Sequence, residues 1–171
     1  EMIKKLELTI KSFKILKKYC DDRNIIFLST PDDEKSVDFL QSISVPAFKL
    51  SSGELTNFRM LKKIALQGKP VIISTGMSTI DQIKESIDIL EKYGSKEIII
   101  LHCNVNYPTE NKDVNLRVIQ TLKEEFNYPI GFSDHTMSVE VPVASVALEA
   151  TVVEKHFTLD RDMKGPDHSS S

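Results

Sequence analysis

Short, almost uninterrupted apolar runs alternate along this chain with stretches whose apolar residues recur every three or four positions. No other feature constrains the fold as much. The apolar runs cover residues 25–29, 47–50, 71–74, 98–102, 130–133 and 152–157. An unbroken apolar run predicts a strand covered on both faces, as in a parallel sheet. Between the runs, Leu55, Phe58, Leu61 and Ile64 recur at helical spacing, as do Ile80, Ile83, Ile87 and Leu90, and then Leu116, Ile119, Leu122 and Phe126. Ser78 with Asp81, or Thr79 with Gln82, has the form of a capping box opening the second of these helices. Gly68 and Gly94 stand where helices should end. A further helix is expected over residues 6–19, ahead of the first strand. Six strands alternating with helices predict a parallel α/β fold.

Parallel α/β chains form either barrels or doubly wound sheets. No GxGxxG follows the first strand, which removes the dinucleotide-binding form of the open sheet. Polar and reactive residues instead gather at the C-terminal end of every strand. They are Ser29-Thr30, Lys49 through Glu54, Ser74-Thr75, Asn104 through Tyr107, Ser133 through His135, and Glu154 through His156. Contributions from all strand ends require a ring of strands, so the expected fold is a TIM (β/α)8 barrel. Only about six βα units are visible, so the barrel is read as incomplete, with its N-terminal strands missing and no second domain.

The 171 residues are 40% hydrophobic, enough for one compact domain with a core. A formal net charge of −3 gives no electrostatic case for nucleic acid or an anionic membrane as partner. No apolar run reaches the length of about 20 residues that a membrane helix needs. The first twenty residues contain Lys4, Lys5, Lys11, Lys14, Lys17 and Lys18 and no apolar secretory core. They read as the solvated face of a helix. Cys20 and Cys103 are far apart and have no metal-ligand spacing, so a reducing, cytoplasmic setting is expected. Met2, Met60 and Met137 form no stripe, and His102 and Cys103 read as packing residues of a buried strand.

The chemistry is concentrated in the last two strands. Ser133 and His135 are two apart and so share one side of a strand, as do Glu154 and His156. If that side is the barrel mouth, two imidazoles converge beside a carboxylate and a hydroxyl. Two neutral histidines leave several positions open on an octahedral divalent ion, which suits a Lewis acid holding water and a substrate oxygen. The competing reading makes His135 a capping residue and His156 a core one. Lys49, inside an apolar strand, needs a counter-charge. That charge is either an anionic substrate, approached closely by the backbone at Gly53, or Glu54 in an ordinary ion pair. Hydroxyls at Thr30, Ser52, Ser74 and Ser133 suit phosphate and carboxylate oxygens. Ser74-Thr75-Gly76-Met77 leads into a helix N-terminus, a further anion-friendly arrangement.

Several motifs together carry a resemblance over nearly the whole chain. They are Phe27-Leu28-Ser29-Thr30-Pro31, Ser74-Thr75-Gly76-Met77-Ser78-Thr79, Tyr107-Pro108-Thr109, Gly131-Phe132-Ser133-Asp134-His135-Thr136, Glu154-Lys155-His156-Phe157-Thr158 and Gly165-Pro166-Asp167-His168. In this order and spacing the chain resembles the N-acetylneuraminate (sialic acid) synthase family, which includes the legionaminic and pseudaminic acid synthases. The resemblance implies a TIM barrel followed by an antifreeze-like domain, absent here, and a homodimer. It implies condensation of phosphoenolpyruvate with an amino-sugar aldehyde to give a nonulosonic acid and phosphate. His135 and His156 are then similar to ligands of Mn2+ (or Mg2+), and Thr30, Lys49, Ser52, Ser74 and Ser133 to the groups that hold phosphoenolpyruvate. Glu54 resembles a residue that handles protons, and Tyr107 and Glu154 resemble sugar-side and metal-side neighbours.

The departures from the family pattern are Asp32 in place of a bulky aromatic, Val105 in place of an Asn, and Ser51 in place of Gly. Strands that bring a Glu and a Lys to the family's site are missing, so the chain alone is expected to be inactive or very weak. The aldehyde stays open among N-acetylmannosamine, its 6-phosphate and diacetylated deoxy sugars. Two alternatives are another phosphoenolpyruvate-aldehyde condensing barrel, such as the enzyme opening the shikimate route, and a non-catalytic barrel piece. His168 is expected on a loop, either touching the site or holding a turn.

Overall fold

A computed structural model describes residue 4 and residues 6–171; Met2 and Lys5 lie outside the described residues. Helix α1 (Ile10–Asp21) and helix α2 (Glu34–Ser42) lead into strand β1 (Phe48–Leu50). Helix α3 (Phe58–Ala65), strand β2 (Val71–Ser74), helix α4 (Ile80–Lys92) and strand β3 (Ile98–Cys103) follow. Helix α5 (Val118–Glu125), strand β4 (Ile130–Asp134), helix α6 (Glu140–Ala147) and strand β5 (Val153–Lys155) complete the regular elements.

Local chemistry accounts for where the elements begin and end. The Thr79 hydroxyl accepts from Gln82 N, and the Gln82 side chain accepts from Thr79 N, closing the expected capping box on α4. Gly68 and Gly94 have φ of 65° and 121° just beyond α3 and α4, where a side chain would be strained. Helix α1 begins at Ile10 rather than at residue 6, because the Thr9 hydroxyl accepts from Ser12 N and fixes the first turn there.

All five strands are parallel and lie in sequence order, β1-β2-β3-β4-β5. A doubly wound sheet reverses its strand order at a switch point, and this one never does. Winding in one direction leaves every crossover helix on one face, which is the wall of a β/α barrel. Five strands are about half of such a wall. Phe48, Leu50, Val71, Ile73, Ile98, Ile100, Ile130 and Phe132 point outward and form one core with Leu61, Ile64, Ile87, Leu90, Ile119 and Leu122 of the helices. The alternate residues, including Lys49, Ser74, Cys103, Ser133 and Glu154, line the concave face.

Two strand expectations are corrected. Residues 25–29 join no ladder, and the sheet has five strands where the apolar runs suggest six. Ile25 N donates instead to Cys20 O at the end of α1, and Ile25 and Ile26 remain exposed. An apolar run becomes a strand only when its backbone finds a ladder. The last strand covers Val153–Lys155 rather than 152–157, and Phe157 beyond it is 87% exposed. Among the described residues no helix is long and apolar enough to cross a membrane.

Candidate active site

The C-terminal ends of β1 through β5 border a cleft of about 250 Å³, lined by Lys49, Ser52, Ser74, Tyr107, Ser133, His135 and Glu154 together with Ser51, Gly53 and Val105. Parallel in-register strands bring these residues together: Ser74 lies beside Leu101, Cys103 beside Ser133, and Ser133 beside Glu154.

Lys49 is the positive charge of the cleft. Its Nζ donates to Ser74 Oγ at 2.7 Å and stands 3.5 Å from a Glu154 carboxylate oxygen. The other Glu154 oxygen accepts from Ser133 Oγ at 2.6 Å. The counter-charge of Lys49 is therefore Glu154 from the far side of the cleft, not Glu54. Glu54 accepts from Asn57 Nδ2 at 2.6 Å in the turn leading to α3 and does not line the cleft. Thr30 also lies elsewhere, in a separate cleft of about 450 Å³ with Phe13, Ser29 and Asp32. Its segment has no ladder to carry it toward the mouth.

Beyond the ladder, the His135 and His156 rings stand 5.4 Å apart between centroids, steeply inclined to one another. Tyr107 stacks on His135 at 4.0 Å and meets the edge of His156 at 5.4 Å. His135 Nδ1 lies 2.6 Å from the Asn104 carbonyl oxygen. A carbonyl can only accept, so Nδ1 carries the proton and Nε2 keeps a free lone pair. Burial holds the His135 imidazole below its ordinary pKa, against the opposing effect of the Asn104 bond. Neutrality, a fixed tautomer and a partnered second nitrogen are what a metal-ligating histidine requires.

The gap between the two rings is one that two bonds of about 2 Å can close once the half-width of each ring is counted. Among the described residues no group of three or more His, Cys, Asp or Glu stands close enough together to hold a metal ion, so His135 and His156 could offer an ion two ligands only. A pair with open positions fits a divalent ion that must also hold substrate.

On its other side His156 borders a cleft of about 320 Å³ with Gly165, Pro166, Asp167 and His168. His168 Nδ1 is 2.7 Å from Thr158 Oγ1, so this histidine ties the loop closed beside the site. His102 faces the helices instead, with Nε2 2.8 Å from Val114 O and its ring against Phe132, in keeping with a packing role.

Cys103 has a function that its apolar context conceals. Its Sγ is 3.1 Å from Ser52 Oγ and accepts from Gly76 N at 3.2 Å, while Gly76 N also donates to Ser52 Oγ at 3.0 Å. The ends of β1, β2 and β3 are thereby tied to one another. The Gly76 N–H is consumed in this knot, and Thr79 N is consumed by the capping box. Those two backbone donors at the start of α4 are therefore not free for an anion. In sequence, only the position of Cys103 at the last, inward-facing place of β3 could have signalled its role. Asn104 stood out in sequence only as the first of the polar residues that follow the fourth apolar run. It works through its backbone carbonyl, while its side chain donates to Asp113 O at 2.9 Å.

The model of the NeuB family matches residues 1–171. An uncharacterized protein of Methanocaldococcus jannaschii is 54% identical over 171 residues, covering 100% of this chain and 51% of the relative. The N,N'-diacetyllegionaminic acid synthase of Campylobacter jejuni is 47% identical over 173 residues, covering 100% of this chain and 52% of that one. The structure of N-acetylneuraminic acid (sialic acid) synthetase from Leptospira borgpetersenii superposes with a TM-score of 0.95 at 37% identity, covering 99% of this chain and 59% of that one. The chain spans about half the length of the relatives it matches. From a family match that runs from the first residue to the last, and a half-barrel that overlays a solved sialic acid synthetase, it follows that this chain belongs to the NeuB family.

Proposed function

We propose that these residues form the phosphoenolpyruvate-binding and metal-binding half of a synthase that condenses phosphoenolpyruvate with an amino-sugar aldehyde, giving a nonulosonic acid and phosphate. The observation that carries this reading is the juxtaposition of two sites on one strand-end surface. Lys49, Ser52, Ser74 and Ser133 offer one ammonium and three hydroxyls in a single cleft, and His135 at the rim of that cleft faces His156. The relatives' names add the product class: one makes a diacetyllegionaminic acid and another N-acetylneuraminic acid.

In this reading the Lys49 ammonium neutralises the phosphorylated enol, and the three hydroxyls orient its oxygens. His135 and His156 would hold Mn2+ or Mg2+, which would supply Lewis-acid polarisation of the aldehyde oxygen. C3 of phosphoenolpyruvate forms the new carbon–carbon bond, water adds at C2, and phosphate leaves with cleavage of its C–O bond. Cationic character develops at C2, and the Glu154 carboxylate, fixed by Ser133 and Lys49, is placed to stabilise it. The cleft of His156, Gly165, Pro166 and Asp167 receives the sugar end. Glu54, directed to Asn57, acts on protons only if the turn over Ser52–Glu54 moves. A second subunit and an antifreeze-like domain complete the site in the dimeric whole.

Phosphoenolpyruvate binding tests the reading directly on this chain. Lys49→Met weakens binding at least about tenfold, as expected for removal of a charged hydrogen-bonding partner worth roughly 1.5–3 kcal/mol. Ser74→Ala has a smaller effect, and phosphate release with any amino-sugar aldehyde is absent or very slow with the chain alone. Equal binding by wild type and Lys49→Met removes the anion site and the proposal with it.

A further inference from the structure

The wall behind the two imidazoles carries a second, unassigned construction. Asp134 and Lys155 directly follow Ser133 and Glu154, and strand alternation places them on the outer side of the same two strands. They are the last in-register pair of the β4–β5 ladder, which stops there. His135 and His156 both lie one residue beyond it. Lys155 Nζ donates to Asp134 Oδ2 at 2.5 Å and to Thr136 O at 2.7 Å, so one ammonium grips the residues immediately before and after His135. The Asp134 side chain is fully buried, and its other oxygen accepts from Thr136 N at 2.9 Å. All five polar atoms of this knot are therefore partnered. From the β3 side, Thr109 N donates to His135 O at 2.8 Å.

We propose that the Asp134–Lys155 pair is a positioning element. It sets the gap between His135 and His156 from behind, where the sheet's own hydrogen bonds have ended. Neither residue touches the cleft, so each acts through the imidazole next to it in sequence. A carboxylate buried in the wall without its ammonium is costly, so the knot resists opening. Supports of this kind around metal ligands typically alter affinity by about 10- to 100-fold. The inference rests on the reading of His135 and His156 as a ligand pair, and its test has one arm that does not.

The experiment compares wild type, Lys155→Met, Lys155→Arg, Asp134→Asn and the double variant Asp134→Asn/Lys155→Met. It reads Mn2+ affinity by calorimetry and, without metal, the nuclear Overhauser contact between the His135 and His156 ring protons. Lys155→Met is expected to weaken Mn2+ binding about tenfold and to weaken the ring-to-ring contact, at a temperature where circular dichroism shows it folded. Lys155→Arg stays within about threefold of wild type. The double variant loses no more than the worse single one, because the two residues act as a unit. If Lys155→Met does not fold, Asp134→Asn, which keeps the volume and one hydrogen bond, decides the question alone. A variant that melts earlier yet keeps wild-type metal affinity and ring contact makes the pair purely structural and overturns the proposal. Failure of the wild type to bind Mn2+ overturns the metal reading instead. The ring contact then decides the clamp.

Discussion

At the scale of single residues, the site depends on close approaches that leave little room for change. A Cβ on Gly76 would stand 2.8 Å from Val105 Cγ1, 2.9 Å from Ser52 Oγ and 3.0 Å from Cys103 Sγ. Both nearest atoms are side-chain tips, so Val105 and the Ser52 hydroxyl must both give way. Gly76→Ala is therefore expected to cost about 1–3 kcal/mol in urea unfolding, the usual range for overpacking, and to weaken phosphoenolpyruvate binding about tenfold. Unchanged binding would show that Ser52 is not held where the knot puts it. His102 supplies a pH dependence. Burial holds its pKa below the ordinary histidine value, against the opposing Val114 bond. The unfolded chain takes up the proton first as pH falls, so the stability His102 contributes is present above about pH 6.5 and is lost below it. Melting temperature should fall between pH 7.5 and 5, and His102→Gln should flatten that fall.

Much of this scale was legible in the sequence. Two residues apart on a strand means the same face, and that rule put Ser133 and His135 on one cleft, whereas of the second pair Glu154 lines that cleft and His156 borders the neighbouring one. The partner of Lys49 was not legible, because choosing Glu154 over Glu54 depends on strands meeting 105 positions apart in the chain rather than on proximity in sequence. The same rule, applied to the odd-side residues Asp134 and Lys155, would have exposed the outer pair.

At the scale of elements, apolar periodicity located α3, α4 and α5, and capping chemistry fixed the start of α4 through Thr79 and Gln82. The one missing strand, over residues 25–29, shows the limit of this signal. Apolar content says that a segment can be buried, but a ladder needs a neighbour in register. Gly131 tests the packing of the strands themselves. A Cβ there would meet Leu101 Cδ2 and the Val152 carbonyl oxygen, each at 2.6 Å. Backbone cannot step aside as a side-chain tip can, so β4 and β5 must part. Gly131→Ala is expected to lower stability by at least about 3 kcal/mol, near the upper end of overpacking costs. It should also reduce Mn2+ affinity, since His135 and His156 follow those two strands. A small change in urea midpoint would mean that the strands are less tightly apposed than the structure has them.

At the scale of the molecule, five parallel strands in sequence order make a curved wall with two open sides. Ile25, Ile26 and Leu28 are exposed beyond β1, and Val143, Val146, Val153 and Phe157 beyond β4. Exposed apolar area of this kind marks surfaces suited to cover. The wall nonetheless gathers Lys49, Ser74, Ser133 and Glu154 on its concave side, because in-register parallel pairing delivers the strand ends to one level. The barrel could be inferred from sequence for the same reason: reactive residues followed each apolar run. The number of strands could not, since an edge segment is decided by what lies next to it.

The account stands on two imidazoles meeting at the open end of that wall, and calorimetric titration of Mn2+ into the wild-type chain and into His135→Ala and His156→Ala tests it most directly. The expected result is a single site in the wild type whose affinity falls at least about tenfold with either substitution, while circular dichroism shows both variants folded. Binding of equal strength in all three proteins, or no binding in the wild type, would contradict it.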